Sequence, residues 1–170
     1  PATGAVLDTR SVSSFSGGVY AVWQVSGQIS IRVRNASAAS AHALVSGLFI
    51  DSIAGATPTP TPVVTPTPTA TPTPVPTPTP TATPTPANGN GATFVREDTT
   101  TRGNWIGNYG SQGYLLVNDS NTLPSWTQLA ATGNNSHTWA ASSADPRALI
   151  KATNQNDRIA ATWWTSSQMD

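Results

Sequence analysis

The chain has 170 residues, no cysteine, a formal net charge of zero and only 9% charged residues. Binding to nucleic acid needs clustered Lys and Arg to neutralise phosphates, so this composition excludes nucleic acid as an expected partner. No apolar run is long enough to span a membrane, and a chain without cysteine forms neither a disulfide scaffold nor a thiolate metal site.

Residues 1–56, the first flank, have the pattern of β-strands. Four segments are rich in β-branched, aromatic or alternating apolar residues and are expected to be strands: Ala5–Val12, Val19–Val25, Gln28–Arg34 and Ala43–Ile50. The third is the clearest, because Ile29, Ile31 and Val33 alternate strictly with polar residues. Ser26 and Gly27, between the second and third segments, predict a tight hairpin turn.

The tract Thr57–Pro86 contains twelve prolines and thirteen threonines. Proline lacks an N–H and fixes φ, so the tract can join neither a helix nor a central strand. Extended polyproline II, at about 3.1 Å per residue, would make it a spacer of roughly 90 Å. The tract is either a bare, stiff linker or an O-glycosylated stalk, and its dense hydroxyls favour the stalk, which indicates an extracellular or cell-surface location. The candidate O-linked residues are Thr57, Thr59, Thr61, Thr65, Thr67, Thr69, Thr71, Thr73, Thr77, Thr79, Thr81, Thr83 and Thr85.

Three Asn-x-Ser triplets, at Asn35, Asn118 and Asn134, are weaker candidates for N-linked glycans. Such triplets are common by chance, so they add little to the prediction that the tract is glycosylated.

Residues 87–170, the second flank, are turn-rich and also predict β structure. Gly, Asn, Ser and Asp punctuate short apolar segments at intervals typical of a sandwich or jelly roll. The expected strands are Thr93–Val95, Gly113–Val117, Ser125–Leu129, His137–Ala140, Ala148–Lys151 and Arg158–Trp164. The predicted fold is therefore an all-β sandwich or jelly-roll-like module, split into two flanks by the tract.

The ends of the chain predict that the two flanks are halves of one module in permuted order. Pro1–Gly4 has turn chemistry but no strand before it, and the strand Arg158–Trp164 lies close to the C-terminus. Flanks of this size are also small for independent cores without disulfides.

Several motifs resemble a β-sandwich repeat module of large secreted bacterial surface proteins. Asp98–Tyr114 and Asp157–Trp163 resemble the front of that module, whereas Ala2–Arg10, Val22–Gly27 and Ser46–Phe49 resemble its back. The resemblance covers nearly everything outside the tract and implies a C-terminal-type half at 1–56 and an N-terminal-type half at 87–170. It implies no activity and no site residue.

The chain offers little for catalysis, and we expect no enzyme, no cofactor and no metal. His42 and His137 are not placed in a nucleophile motif. Glu97 and Asp98 are adjacent, so in a strand they would point to opposite faces rather than across a cleft. Asp98 or Asp119 could ligate calcium, but no loop of recognisable ligand spacing supports that.

The aromatic residues of the second flank are either a platform for sugar rings or core packing. Trp105, Tyr109, Tyr114, Trp126 and Trp139 form this series, and we favour packing because the flank has few Phe, Leu or Ile. The expected core combines residues of both flanks: Trp23, Ile29, Ile31, Val33, Leu48, Trp105, Trp139 and Ile159.

Trp163 and Trp164 point to opposite faces of one predicted strand. One of the two rings is therefore a candidate contact surface.

Two classes of function remain. The first is a structural subunit of an extracellular glycosylated fibre or surface layer, in which copies of the chain assemble head-to-tail by completing each other's sheets. The second is a carbohydrate-binding module tethered by a glycosylated linker. A folded-back tract that lets both flanks of one chain pair together is the main alternative to the fibre.

Overall fold

The computed structural model describes residues 4–37, 41–53 and 89–170. Within these ranges the chain is all-β and has no α-helix, as predicted, and its strands form several antiparallel sheets. The sandwich arrangement stays a prediction. The Thr57–Pro86 tract, for which polyproline II and glycosylated threonines are predicted, lies outside the described residues.

The first flank contributes four strands: β1 (Tyr20–Ser26), β2 (Val33–Arg34), β3 (Ala43–Val45) and β4 (Gly47–Ile50). The second flank contributes seven: β5 (Gly91–Asp98), β6 (Gly113–Leu116), β7 (Asn121–Thr122), β8 (Asn135–Ser143), β9 (Leu149–Ile150), β10 (Arg158–Thr165) and β11 (Gln168–Met169).

Strand pairing joins the two flanks throughout. Strand β1 pairs with β5, β2 with β11, β3 with β10 and β4 with β6, all antiparallel. In the described part of the chain no first-flank strand pairs with another first-flank strand. The second flank adds pairings of its own, which place β7 beside β6 and both β8 and β9 beside β10. The first flank therefore depends on the second for every sheet it enters.

Strand β6 lies between two hydrophobic clusters, because its successive side chains point to opposite faces. Leu116 packs with Trp105 and Tyr109 in one cluster, and Leu115 lies against the other. That second cluster contains Val117, which directly follows β6, together with Ile159 and Ala161 of β10.

The predicted hairpin between Val19–Val25 and Gln28–Arg34 is wrong. Gly27 turns the chain with φ of +72°, and the backbone N–H of Gln28 then donates to Asn90 Oδ1 at 3.0 Å. The chain leaves the sheet at this point, and β1 takes β5 as its partner instead. Only Val33–Arg34 of the alternating segment is a strand.

The predicted strand Ala5–Val12 is also wrong, because these residues form no strand. Side chains attach this segment to the β1–β5 ribbon instead. Asp8 accepts a hydrogen bond from Trp23 Nε1 at 2.7 Å, and the Arg10 guanidinium lies 4.4 Å from the centre of the Phe94 ring. In the second flank, Ser125–Leu129 is likewise not a strand.

The predicted core is partly confirmed. Trp105 and Ile159 are buried, but Ile31 is 51% exposed and Trp139 is 60% exposed, so placing these two in the core was wrong. Ile31 has no strand partner among the residues that the structure describes, and Trp139 lies on the outer side of β8. The other four expected core residues are half-buried: Trp23, Ile29, Val33 and Leu48.

Within residues 4–37, 41–53 and 89–170 no helix has the length and apolar character needed to cross a membrane.

Candidate functional site

The two flanks meet in a cluster of five aromatic rings, which we name the aromatic junction. Tyr20 and Phe49 come from the first flank, and Trp105, Tyr109 and Tyr114 come from the second. The Tyr20 and Tyr109 rings stack with centroids 4.6 Å apart and planes 15° apart. Phe49 lies 5.0 Å from Trp105, which in turn lies 4.8 Å from Tyr114. The core-packing interpretation is thus confirmed for the buried Trp105 and Tyr109.

A tight loop presents the second-flank rings to the first flank. The backbone N–H groups of Asn108 and Tyr109 both donate to the Trp105 carbonyl, at 2.9 and 2.8 Å. Trp105 Nε1 donates to the Ile150 carbonyl at 2.7 Å, which fixes the indole. Gly110 follows with φ of +79°, and a Cβ there would meet the Trp105 ring at 3.1 Å. Glycine is therefore required where the loop passes over the ring.

Asp98, at the end of β5, fixes Tyr109 in the aromatic junction. Its carboxylate accepts hydrogen bonds from the backbone N–H and the hydroxyl of both Thr100 and Thr101, and from the Tyr109 hydroxyl at 2.8 Å. These donors, with the Thr101 hydroxyl foremost, lower the pKa of Asp98 far below its ordinary value. Asp98 is also the strand partner of Tyr20, so it lies where the two flanks meet.

Tyr20 contributes a hydrogen bond as well as a ring. Its hydroxyl donates to the Arg102 carbonyl in the second flank. Burial raises the pKa of Tyr20 well above its ordinary value, and the nearby Tyr109 and Asp98 raise it further. Burial also raises the pKa of Tyr109. Both hydroxyls therefore stay protonated and act as donors.

Polar contacts join the flanks outside the aromatic junction. Arg32 donates to both carboxylate oxygens of Asp170, at 2.6 and 3.0 Å. This bidentate pair lowers the pKa of Asp170 and raises that of Arg32. Asp51 accepts from the backbone N–H groups of Gly110 and Ser111, at 3.2 and 2.8 Å. Each contact uses one residue from each flank, so the flanks are joined by charge as well as by packing.

Trp163 and Trp164 do lie on opposite faces of β10. Trp163 is half-buried against the cluster that contains Val117 and Ile159. Trp164 is half-buried as well, but on the opposite face, where its ring contacts His42 with centroids 4.7 Å apart. Of the two candidates for a contact surface, Trp164 is the one on the outer face.

The remaining candidate residues are scattered. His42 and His137 are exposed and each contacts a tryptophan ring. Glu97 is exposed, and the Asp98 carboxylate accepts hydrogen bonds from Thr100 and Thr101. Among the residues the structure describes, no three His, Asp or Glu side chains come together as metal ligands would.

The three sequon asparagines lie in different environments. Asn35 is half-buried, and its amide donates to the carbonyls of Ala41 and Ser166. Asn118 is exposed, with φ of +58°, and donates to Thr138 Oγ1 at 3.0 Å. Asn134 is half-buried. Asn118 therefore presents the most accessible side chain of the three.

Sequence reasoning missed the first-flank half of the aromatic junction. Tyr20 and Phe49 lay in segments correctly expected to be strands, but their partners are more than fifty residues away along the chain. The available signal was that each is an aromatic residue on a predicted strand of a flank too small to bury it alone.

No protein-family model matches this chain, and no curated protein or solved structure shows significant similarity to it. What the fold defines is an all-β chain in which two flanks complete each other's sheets.

Proposed function

We propose that this chain is a structural subunit of an extracellular glycosylated fibre or surface layer, in which neighbouring chains assemble head-to-tail by exchanging their first flanks. Each assembled unit would be a sandwich-like module made of a first flank from one chain and a second flank from the next. The supporting observation is that all four first-flank strands pair with second-flank strands and none pairs with another within the described residues.

In this structure the four pairings are made within one chain. The same pairings made between two chains would use the same strands, rings and ion pairs, so exchange costs no contact. Because each chain would give its first flank to one neighbour and receive one from another, the contact is head-to-tail. Such a contact repeats without closing and produces a filament.

The predicted length of the tract favours exchange. The described residues before the tract end at Ile53, close to Asp51, which accepts a hydrogen bond from the Gly110 N–H. They resume after the tract at Gly89, whose carbonyl accepts a hydrogen bond from Ser26 Oγ. Strand β1 spans about 20 Å, so these two points are separated by a few tens of ångströms. A fully extended tract of roughly 90 Å overshoots that gap. An extended tract would have to double back for the two flanks of one chain to pair, but it could reach the flank of a neighbouring chain without bending.

Glycans on the tract threonines would strengthen this preference and coat the fibre, since bulky sugars on closely spaced threonines resist folding back. Glycopeptide mass spectrometry tests this part of the proposal directly. If all tract threonines of the native protein are unmodified, the glycan part of the proposal is wrong. The exchange of first flanks between chains is tested separately, by cross-linking.

Cysteine cross-linking distinguishes exchange from closure, because the native chain has no cysteine. Gln24 and Thr93 are exposed strand partners from different flanks. Directly opposed residues in antiparallel strands are close enough for a disulfide. Oxidised Gln24→Cys/Thr93→Cys protein should give a ladder of covalent multimers on a non-reducing gel if the flanks exchange. An oxidised monomer at every concentration would refute the fibre.

The matched control mixes two single variants. Gln24→Cys and Thr93→Cys proteins, unfolded together and refolded, should give a cross-linked dimer and nothing larger if exchange occurs. Electron microscopy of the unmodified protein should then show filaments.

A further inference from the structure

One face of the sheet β3–β10–β8 packs on the cluster of Val117, Ile159 and Ala161. We call the opposite face the outer face; it is partly exposed, because Trp139 is 60% exposed and Trp164 is half-buried, whereas Thr162 is fully buried. On the outer face, Trp164 lies between Leu44 of β3 and Asn135 of β8, its partners across the two strands. Thr162, two residues earlier on β10, is opposite His137, so the imidazole shares the face of Trp164.

Trp139 lies on the same face, because it is two residues beyond His137 on β8. It occupies a β-bulge: Thr138 and Ala140 of β8 pair with Ala161 and Ala160, which are adjacent on β10, so Trp139 is the extra residue. The Trp139 ring lies 5.3 Å from that of His137, with their planes 78° apart, and Trp139 remains 60% exposed.

The outer face therefore carries two indole rings, and each of them makes an edge-to-face contact with a histidine ring. Trp164 has His42 nearly perpendicular to it, at 89°, and Trp139 has His137. A large aromatic ring left mostly in water at a bulge contributes little to the core, which leaves its flat surface free for a ligand.

We propose that this outer face binds a neutral polysaccharide, with pyranose rings stacked on Trp139 and Trp164. The C–H groups on one side of a pyranose carry partial positive charge, which the negative face of an indole attracts. Asn135, His42 and His137 are exposed beside the rings and provide hydrogen-bond donors and acceptors for hydroxyls.

The composition of the face selects a sugar polymer over a protein or a charged glycan. The four side chains nearest the two rings are His42, Leu44, Asn135 and His137, and none of these is Asp, Glu, Lys or Arg. A protein partner would favour contiguous apolar area, whereas here polar side chains separate the two rings. Trp139 lies four residues along β8 from Asn135, the partner of Trp164, which is about 13 Å of strand. That length suits a chain of sugars better than a single one.

The face is built from both flanks, because β3 belongs to the first and β8 and β10 to the second. It is complete whether the flanks pair within one chain or between chains. The inference therefore stands or falls separately from the proposed fibre.

Affinity gel electrophoresis of unglycosylated recombinant protein tests the proposal, with soluble cellulose derivatives that carry no charge, xylan, mannan, amylose and β-1,3-glucan in the gel. At least one neutral polymer should retard the chain. Trp139→Ala and Trp164→Phe should each weaken that retardation at least tenfold. The matched control is Trp126→Ala, because Trp126 is 71% exposed but lies in the loop that follows β7.

Trp139→Ala should keep the native circular dichroism spectrum and melting temperature, since its ring is mostly in water. Retardation by none of the neutral polymers would overturn the proposal. So would retardation only by an anionic polymer such as polygalacturonate, or an equal loss of binding in Trp126→Ala.

Discussion

Tyr20 and Tyr109 stack with ring centroids 4.6 Å apart and planes only 15° from parallel, although they belong to different flanks of the chain. The Tyr109 hydroxyl donates a hydrogen bond to Asp98, and the Tyr20 hydroxyl donates one to the Arg102 carbonyl. This pair therefore couples the pairing of β1 with β5 to the folding of the loop at Trp105. Disturbing it should loosen both flanks together.

Replacing Tyr20 tests that coupling. Tyr20→Ala removes a ring from the aromatic junction and leaves a cavity against Tyr109 and Phe49, so it should lower the free energy of unfolding by about 3 kcal/mol. Tyr20→Phe keeps the ring and loses only the hydrogen bond to Arg102, at a cost of about 1 kcal/mol. Denaturant unfolding followed by tryptophan fluorescence measures both. Equal losses in the two variants would show that the hydroxyl, and not the stacking, matters.

Acid should weaken the contact between the flanks. The pKa values of Asp98 and Asp170 are lowered in the folded chain, by the Thr101 hydroxyl and by Arg32 respectively. A lowered folded pKa means that the stabilisation is fully present above the unfolded value of about 4 and is lost as pH falls through the folded pKa. The free energy of unfolding should therefore be constant near neutrality and decrease below about pH 4.

The same carboxylate can be removed to check the cause. Asp98→Asn should unfold at lower denaturant at pH 7, because an amide cannot accept from all of these donors, and its loss of stability in acid should be smaller than in the parent chain. Asp119→Asn is the control, since within the described part of the chain Asp119 accepts a side-chain hydrogen bond only from the neighbouring Ser120. An acid transition that is unchanged in Asp98→Asn would contradict this assignment.

Ile31 and Ile159 provide a paired test of which isoleucine is in the core. Ile31 is 51% exposed, so Ile31→Asp should change the free energy of unfolding by no more than about 0.5 kcal/mol. Ile159 is 5% exposed and packs with Val117 and Ala161, so Ile159→Asp would bury an unpaired charge and prevent folding. Circular dichroism of the two variants measures the difference. An unfolded Ile31→Asp chain would show that the alternating segment is packed after all.

Gly103 is expected to tolerate no side chain. A Cβ there would lie 1.9 Å from the Ala148 carbonyl oxygen, which is backbone and cannot swing aside. Gly103 also bonds through its own backbone to Pro146 and Ile150, so the contact cannot relax by moving apart. Gly103→Ala should cost at least about 3 kcal/mol, whereas Gly17→Ala, with nothing within 4 Å of its Cβ, should cost almost nothing. Thermal melts of the two variants provide the comparison.

Local sequence pattern predicted strands well where residue type alone decides them. Val19–Val25 and Arg158–Trp164 match β1 and β10 closely, because β-branched and aromatic residues favour an extended backbone. Local pattern failed to predict strands where contacts with distant parts of the chain decide which residues pair. Gln28–Arg34 alternates perfectly, yet only its last two residues find a partner.

The candidate site shows the same limit. Core packing was correct for Trp105 but wrong for Trp139. The Trp105 ring packs against Phe49 of the first flank, whereas Trp139 shares its face of β8 with the exposed His137. Which face of a strand is covered depends on what packs against it, so the sequence of β8 alone does not contain that information.

The pairing of each described first-flank strand with the second flank also sets the order in which the chain can fold. During synthesis Tyr20 cannot form its hydrogen bond until Arg102 has been made, 82 residues later. Arg32 cannot pair with Asp170 until 138 more residues have been added. At synthesis rates of about 5–20 residues per second, the first flank spends several seconds without its partners. Contacts this distant along the chain also make folding slow. The ribosome therefore releases the first flank before its partner strands have been made, and during that interval a strand of another chain can be captured in place of the chain's own.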